Sequence, residues 1–363
     1  MNLYSSSLFK SQGAFEKLEY QIIIDIGLVH TKIGTSLENV PFRIVPTPAE
    51  IFLNPNFLDH DNFKLYNKYS PELQLKIHEF LYKLFFEELL DTPSDNEIII
   101  GLNLFTPNHY ILAIEQVMKE RFKVKGLYFV PTQIAPIYTS NSESGIILDF
   151  GFSNFSIVPF YKGYPLKAFM RSTRKSGAHL FKRLYKSMVK INSKVEELTF
   201  GDRFEMINEL MVEYLNFSSL KEADIIESEG KERDMDKMRN KIIKHINDKM
   251  NVYINFLENY RVTEYMFDDS SSIVIDILDA LIELPSHLRD YLINNIIIIG
   301  GFGLLNKFLK RLKDELEFHI TNNPYYKNQI SSYFTQNFYF ATIDYPTNLL
   351  GWAGRELISM SIF

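Results

Sequence analysis

The sequence predicts an α/β fold made from a duplicated unit that closes around a cleft. Three observations predict it. Residues 145–163 run through apolar Ile146 to Leu148, stop at Asp149, break at Gly151 and resume from Phe155 to Tyr161. Two runs of β-formers around a glycine-containing break read as a hairpin. More than a hundred residues earlier, Ile22-Ile-Ile-Asp25-Ile-Gly27 and the run to Gly34 repeat the same order of strand, Asp, any residue, Gly, strand, which suggests internal duplication. Third, Ile296 to Ile299 reads as a buried strand that ends in Gly300, Gly301 and Gly303 and opens into a helix from about Leu305. Two such hairpins facing one another could clamp a polyphosphate. Loop N–H groups suit phosphate oxygens, a carboxylate at a strand end suits magnesium through water, and glycines let a backbone approach a nucleotide closely. Taken singly, each Asp-x-Gly is a plain turn; the argument rests on the set and its order.

Each element follows in chain order. Residues 1–18 read as a loose leader; the Ser-rich start lacks the apolar core of a signal peptide. Strands are expected at about 20–27 and 29–36, then a short extended run from Phe42 to Pro48. Residues 49–69 are polar and aromatic. Ser70-Pro71 starts a helix to about Leu90, proline taking the first helical position. Its buried side is marked by Leu73, Ile77, Phe80, Leu81, Leu84 and Phe85. A strand at 97–102, a helix at about 107–122, a strand at 124–130 and a turn into 134–140 lead to the second hairpin. Helices are expected at 177–191, 202–217 and 235–257. Residues 221–249 are rich in Glu, Asp, Lys and Arg, which reads as a solvated helical face or flexible insert. An amphipathic helix runs from Asp276 to Leu284. The helix after the Gly300 loop carries Leu305, Phe308, Leu309 and Leu312 inward with its Lys and Arg outward, residues 321–336 read as a loop, and a short helix around Trp352 follows.

Composition narrows the function classes. The 363 residues, 46% hydrophobic, supply one large or two medium cores. A net charge of −6 with no basic stripe argues against nucleic acid. The absence of cysteine excludes disulfides and thiolate metal sites, and no apolar run reaches the length of a membrane span. Aromatic residues make up 14%, with 30 Phe and 21 Tyr. They read as core packing or, in part, as anchors at partner surfaces.

These motifs together resemble the actin family and its superfold of two α/β lobes around a nucleotide cleft, shared with sugar kinases and Hsp70 ATPase domains. Asp149-Phe-Gly151 with Val158-Pro-Phe-Tyr-Lys-Gly163 resembles the second phosphate hairpin. Ile299-Gly-Gly301 resembles the nucleotide loop, and Asn348-Leu-Leu-Gly-Trp352-Ala-Gly354 the terminal motif. Residues 80–90, 127–133 and 273–285 are similar to the pointed-end actin-related group of dynactin. The resemblance implies a first lobe at 19–150 with a small subdomain shortened at about 43–70. It also implies a second lobe at 151–345 with the charged insert, and a terminal helix at 346–363 that returns to the first lobe. The implied ligand is ATP or ADP with magnesium, held structurally if it is held at all. Asp25 and Asp149 would position water on the metal, and Gly27 and Gly151 would bring N–H groups near the phosphates. Lys32 would stand by the β-phosphate. Gly177, Gly300, Gly301 and Gly303 would border the adenosine, and Glu213 would supply the acidic residue on the adenine side.

The departures from the family pattern point away from catalysis. Thr132 and Ser156 stand where actin places the glutamine and histidine that orient its attacking water. Gln133 is one residue off and is expected to point elsewhere. Leu28 replaces a phosphate-loop serine and Phe152 an acidic residue. Loss of water-orienting groups costs about 10²–10⁴ in rate, so the expectation is a pseudo-ATPase at most. The resemblance implies a cytoplasmic, cytoskeletal protein. It would cap the pointed end of the dynactin filament and contact the actin-related filament subunit and other pointed-end subunits, with no nucleic acid and no membrane span. The alternatives are a nuclear actin-related subunit of a chromatin remodeller and a weak actin-fold ATPase.

Overall fold

The first strand shows how the lobes are organised. Ile22, Ile23 and Ile24 are all buried, yet alternate residues serve different cores, as the two-residue period of a strand requires. Ile22 and Ile24 join one apolar cluster, while Ile23 packs with Ile99 and Trp352 in another. A sheet buried on both faces needs helices on both, and the chain supplies them. The structure, a computed structural model, describes residues 20–53, 70–140, 142–173, 175–191, 193–229, 241–246, 250–254, 256–268, 272–330, 340 and 346–362. The leader expected at 1–18, residues 54–69 and parts of the charged insert lie outside the described residues.

The first sheet is built from β1 (Gln21–Ile26), β2 (His30–Thr35) and β3 (Arg43–Pro46), then, after α1 (Ala49–Phe52) and α2 (Pro71–Lys83), from β4 (Glu97–Leu102). After α3 (Asn108–Gln116) comes β5 (Gly126–Pro131). Its order is β3-β2-β1-β4-β5. β1 pairs antiparallel with β2 and parallel with β4. Ser70 caps α2 by accepting the Leu73 N–H at 3.1 Å, with Pro71 at the first helical position. All six residues expected on its inner side are buried. Both α2 and α3 end in a π-helical turn, Leu84–Leu89 and Val117–Phe122, closed by a left-handed residue, Leu90 and Lys123.

The second sheet repeats the unit. β6 (Gly145–Phe150) and β7 (Phe155–Tyr161) form the hairpin, β8 (Tyr164–Pro165) and β9 (Arg171–Ser172) add to β7, and β12 (Ile296–Ile299) pairs parallel with β6. Each lobe therefore has an antiparallel hairpin with a parallel strand beside its first strand. Between β9 and β12 the chain forms α4 (Gly177–Ile191), α5 (Phe200–Tyr214), α6 (Leu220–Glu229), β10 (Lys241–Ile246), β11 (Met250–Ile254), α7 (Phe256–Glu264), α8 (Ile273–Glu283) and α9 (Ser286–Leu292). After it come α10 (Phe308–Asn322), α11 (Pro324–Ile330) and α12 (Leu350–Ile362). Ile146 and Leu148 of β6 face the core of α4, α5, α8 and α10, while Ile147 faces a second core that includes Leu350. The phenylalanines are largely core: Phe152, Phe181 and Phe204 pack ring against ring, as do Phe150, Phe155 and Phe308.

Three expectations need correction. Within the helix expected at 235–257, residues 241–246 and 250–254 instead pair as the antiparallel strands β10 and β11, and Phe256 begins α7. Ile242, Ile243 and Ile246 and then Val252, Tyr253 and Ile254 are strand formers, and they outweigh the charged periodicity. The loop expected at 321–336 contains α11, started by Pro324. Arg311 of α10 is buried rather than solvated. It is paired with Glu264 and Glu315, and its Nη1 donates to the Ser218 carbonyl at 2.8 Å.

Candidate functional site

Strand period places the site's first carboxylate. Asp25 follows Ile23 by two residues, so it points to the same face, toward α12. Lys32 is its cross-strand partner in β2 and Gly101 its neighbour in β4. Lys32 Nζ donates to Asp25 Oδ2 at 2.8 Å, and Arg355 Nη2 donates to Asp25 Oδ1 at 2.8 Å. The same Nη2 donates to Thr132 Oγ1 at 2.8 Å. Arg355 is 0% exposed. It reaches Asp25 because Gly101 has no side chain: a Cβ there would sit 2.0 Å from the guanidinium carbon. Burial alone would raise the Asp25 pKa, but the guanidinium and the ammonium outweigh it and hold the carboxyl well below the usual range.

The second carboxylate has a different environment. Asp149 Oδ2 accepts from Gln133 Nε2 at 2.6 Å and from Asn103 Nδ2 at 3.2 Å. The Gln133 carboxamide oxygen accepts the Leu104 N–H at 2.9 Å. Gln133 is fully buried, and both ends of its amide are engaged. The expectation that it points elsewhere is therefore corrected: it ties the segment after β4 to the hairpin carboxylate of the other lobe. Burial pushes the Asp149 pKa up to about 7, against the Gln133 hydrogen bond, and the Asp25 charge adds to the rise.

This shift has a measurable consequence. Asp149 is raised in the folded state, so the stability linked to it is fully present below the ordinary carboxylate pKa near 4 and is lost as pH rises toward 7. Asp25, whose folded pKa is depressed, is carried by both proteins compared below and cancels between them. Urea unfolding should show wild type falling relative to Asp149→Asn between pH 4 and 7, by no more than about 1.4 kcal/mol per pH unit. A constant difference between the two proteins across that range would refute the assignment.

A cavity of about 530 Å³ lies between the lobes. Asp25, Gly27, Lys32, Asp149, Gly151, Gly300 and Gly301 line it, and so do Leu28, Thr132 and Phe152. Asn208, Met211 and Val212 of α5 close one side. Gly300 has φ +96°, and a Cβ there would lie 2.4 Å from the Phe150 carbonyl oxygen. Gly301 is open, with nothing within 4 Å of such a Cβ. Gly177 and Gly303 stand outside the lining: Gly177 lies under the Phe302 ring and Gly303 against Thr347. Glu213 does not border the cavity. It is exposed, one helical step past Val212, and the turn of about 100° per residue takes it outward. The Gly27 N–H is not free for a phosphate, since it donates to the His30 carbonyl at 3.2 Å within its own turn.

The glycine loop and the cavity suit the nucleoside and phosphate parts of a nucleotide. The carboxylates suit its magnesium less well. Asp25 has a cation on each oxygen, and Asp149 takes two amide donors on Oδ2. Thr132, one of the two positions where water would be oriented, is bound to Arg355; Ser156, the other, is buried and does not line the cavity. Sequence reasoning missed Arg355. Its signal was an arginine inside the apolar terminal helix, where a charge needs a partner. Among the described residues no cluster of three or more His, Cys, Asp or Glu is placed to hold a metal, and no helix is long and apolar enough to cross a membrane.

Comparison with known proteins gives a family and distant relatives. The family model described as Actin matches residues 75–336. Actin-related protein 10 of Dictyostelium discoideum is 23% identical over 403 aligned residues, which cover 94% of this chain and 82% of that protein. A second protein of the same organism, named as actin-29, is 22% identical over 246 residues, covering 66% of this chain and 61% of that protein. The β1–β2 hairpin and α12, which carry Asp25, Lys32 and Arg355, lie outside the stretch that the family model matches.

Proposed function

The chain belongs to the actin family, and from that premise we propose that it is a non-catalytic actin-related protein that closes the pointed end of the dynactin filament. Its cleft holds a nucleotide as a structural ligand. It works in the cytoplasm on the cytoskeleton, against the actin-related filament subunit and beside the other pointed-end subunits. The observation that carries the non-catalytic part is the commitment of the candidate water-orienting groups. The Thr132 hydroxyl is held by Arg355, and the Gln133 amide is held between Asp149 and the Leu104 N–H. A general base must reach the attacking water, and neither group is free to do so. Overall likeness to Actin-related protein 10 supports the dynactin placement.

The capping part is supported by the brevity of the segment between Pro48 and Ser70. In actin the corresponding lobe reaches the next subunit. Here Phe52 is buried against Tyr110, with ring centroids 5.1 Å apart, and belongs to the core rather than to a partner surface. A smaller contact area at one end weakens addition there only. The purified protein is expected to stay monomeric where actin polymerises, to release no phosphate from ATP, and to stop growth at one end of a preformed actin-related filament. Pelleting of this chain alone as long filaments would overturn the capping reading, and steady phosphate release would overturn the non-catalytic one.

A further inference from the structure

The floor of the cavity carries a charge arrangement that the nucleotide reading does not require. Lys32 lines the cavity, while Arg355 does not. The guanidinium approaches Asp25 from behind, from α12, through the gap that Gly101 leaves in β4. One carboxylate between two cations leaves the first hairpin with one surplus positive charge, and the cation of that set facing the cavity is the Lys32 ammonium. Without Arg355 the same hairpin would be neutral.

A divalent metal bound through water needs carboxylate charge and lone pairs not already committed to cations. At Asp25 both oxygens already accept from cations, at 2.8 Å each. A dication placed there would also face the Lys32 ammonium, and like charges in a poorly solvated site repel strongly. An anion meets the opposite situation: a surplus cation and a glycine loop, with Gly301 open to close approach. We infer that Arg355 is the resident counter-cation of this cleft, and that the cleft binds the polyphosphate of a nucleoside di- or triphosphate as the metal-free anion, with Lys32 toward its oxygens. This rests on the nucleotide reading above for its ligand, but not for its statement about metal.

Two measurements on the wild-type full chain test it. Manganese titrated without nucleotide and followed by electron spin resonance should show no site that Asp25→Asn removes. ATP and ADP titrated by calorimetry in EDTA, and again in excess magnesium, should bind with an apparent affinity that is unchanged or lower in magnesium, because the metal sequesters the free anion. An affinity about tenfold higher in magnesium, or a manganese site lost in Asp25→Asn, would overturn the inference and leave the nucleotide reading standing. If neither nucleotide binds in either buffer, the nucleotide reading fails and the anion-binding half of the inference fails with it, while the absence of a manganese site still supports the exclusion of metal. Arg355→Gln removes the guanidinium charge and should make ATP binding magnesium-dependent. If that variant does not fold, the wild-type titrations decide alone.

Discussion

Arg355→Met should destabilise the protein by about 1.5–3 kcal/mol, the cost of losing a buried charge-assisted hydrogen bond while Lys32 still pairs with Asp25. Arg355 is among the largest fully buried side chains of the chain. Its removal leaves the Asp25 carboxylate buried with only Lys32 to balance it and takes a donor from Thr132. Asp25→Asn alone would leave the guanidinium buried against an amide, also a poor state. The double variant Asp25→Asn with Arg355→Met removes both charges. It should therefore lose less than the sum of the two single losses, by about 1–3 kcal/mol of coupling for residues in direct contact. Urea unfolding of the four proteins measures this. A single Arg355→Met loss below about 1 kcal/mol would mean that the triad behaves as a surface pair and that the burial argument is wrong.

That contact also marks what the sequence could convey. The strands were legible because runs such as Ile22 to Ile24 and Ile296 to Ile299 are buried on both faces and need no alternation to be recognised. The duplicated hairpin was legible because Asp-x-Gly recurs at the same point of each unit, and the inner side of α2 because six apolar residues keep helical spacing. The Asp25–Arg355 contact was not legible, since it joins residues 330 positions apart and depends on a glycine in a third element. Gln133 was misplaced for a different reason. Residue counting puts Thr132 at the catalytic position, but after β5 the chain turns so that the next side chain reaches Asp149. The β10–β11 hairpin was hidden by its charges, which suggested a solvated helix although the intervening residues favour strand.

The Gly300 loop gives the second large effect, with a control beside it. Gly300→Ala should cost about 3 kcal/mol or more, from two causes acting together. At φ +96° and ψ 157° the backbone lies in a region open essentially to glycine alone, which costs about 1–3 kcal/mol for a residue with a Cβ. The new methyl would also lie 2.4 Å from the Phe150 carbonyl oxygen and 2.9 Å from Asp149 Oδ1. Phe150 is held in the β6–β7 ladder opposite Phe155, so its oxygen cannot retreat without disturbing the hairpin, and overpacking of this kind costs about a further 1–3 kcal/mol. Gly301→Ala is the control. No heavy atom stands within 4 Å of its Cβ and its φ is not positive, so its effect on stability should stay within about 0.5 kcal/mol. Gly301 lines the cavity, so any loss of nucleotide affinity in that variant arises in the cleft and not from unfolding. Paired melting and ATP titration of the two variants separate the roles: Gly300 holds the strand end in shape, and Gly301 keeps the approach open. Equal losses of stability in both would refute that division.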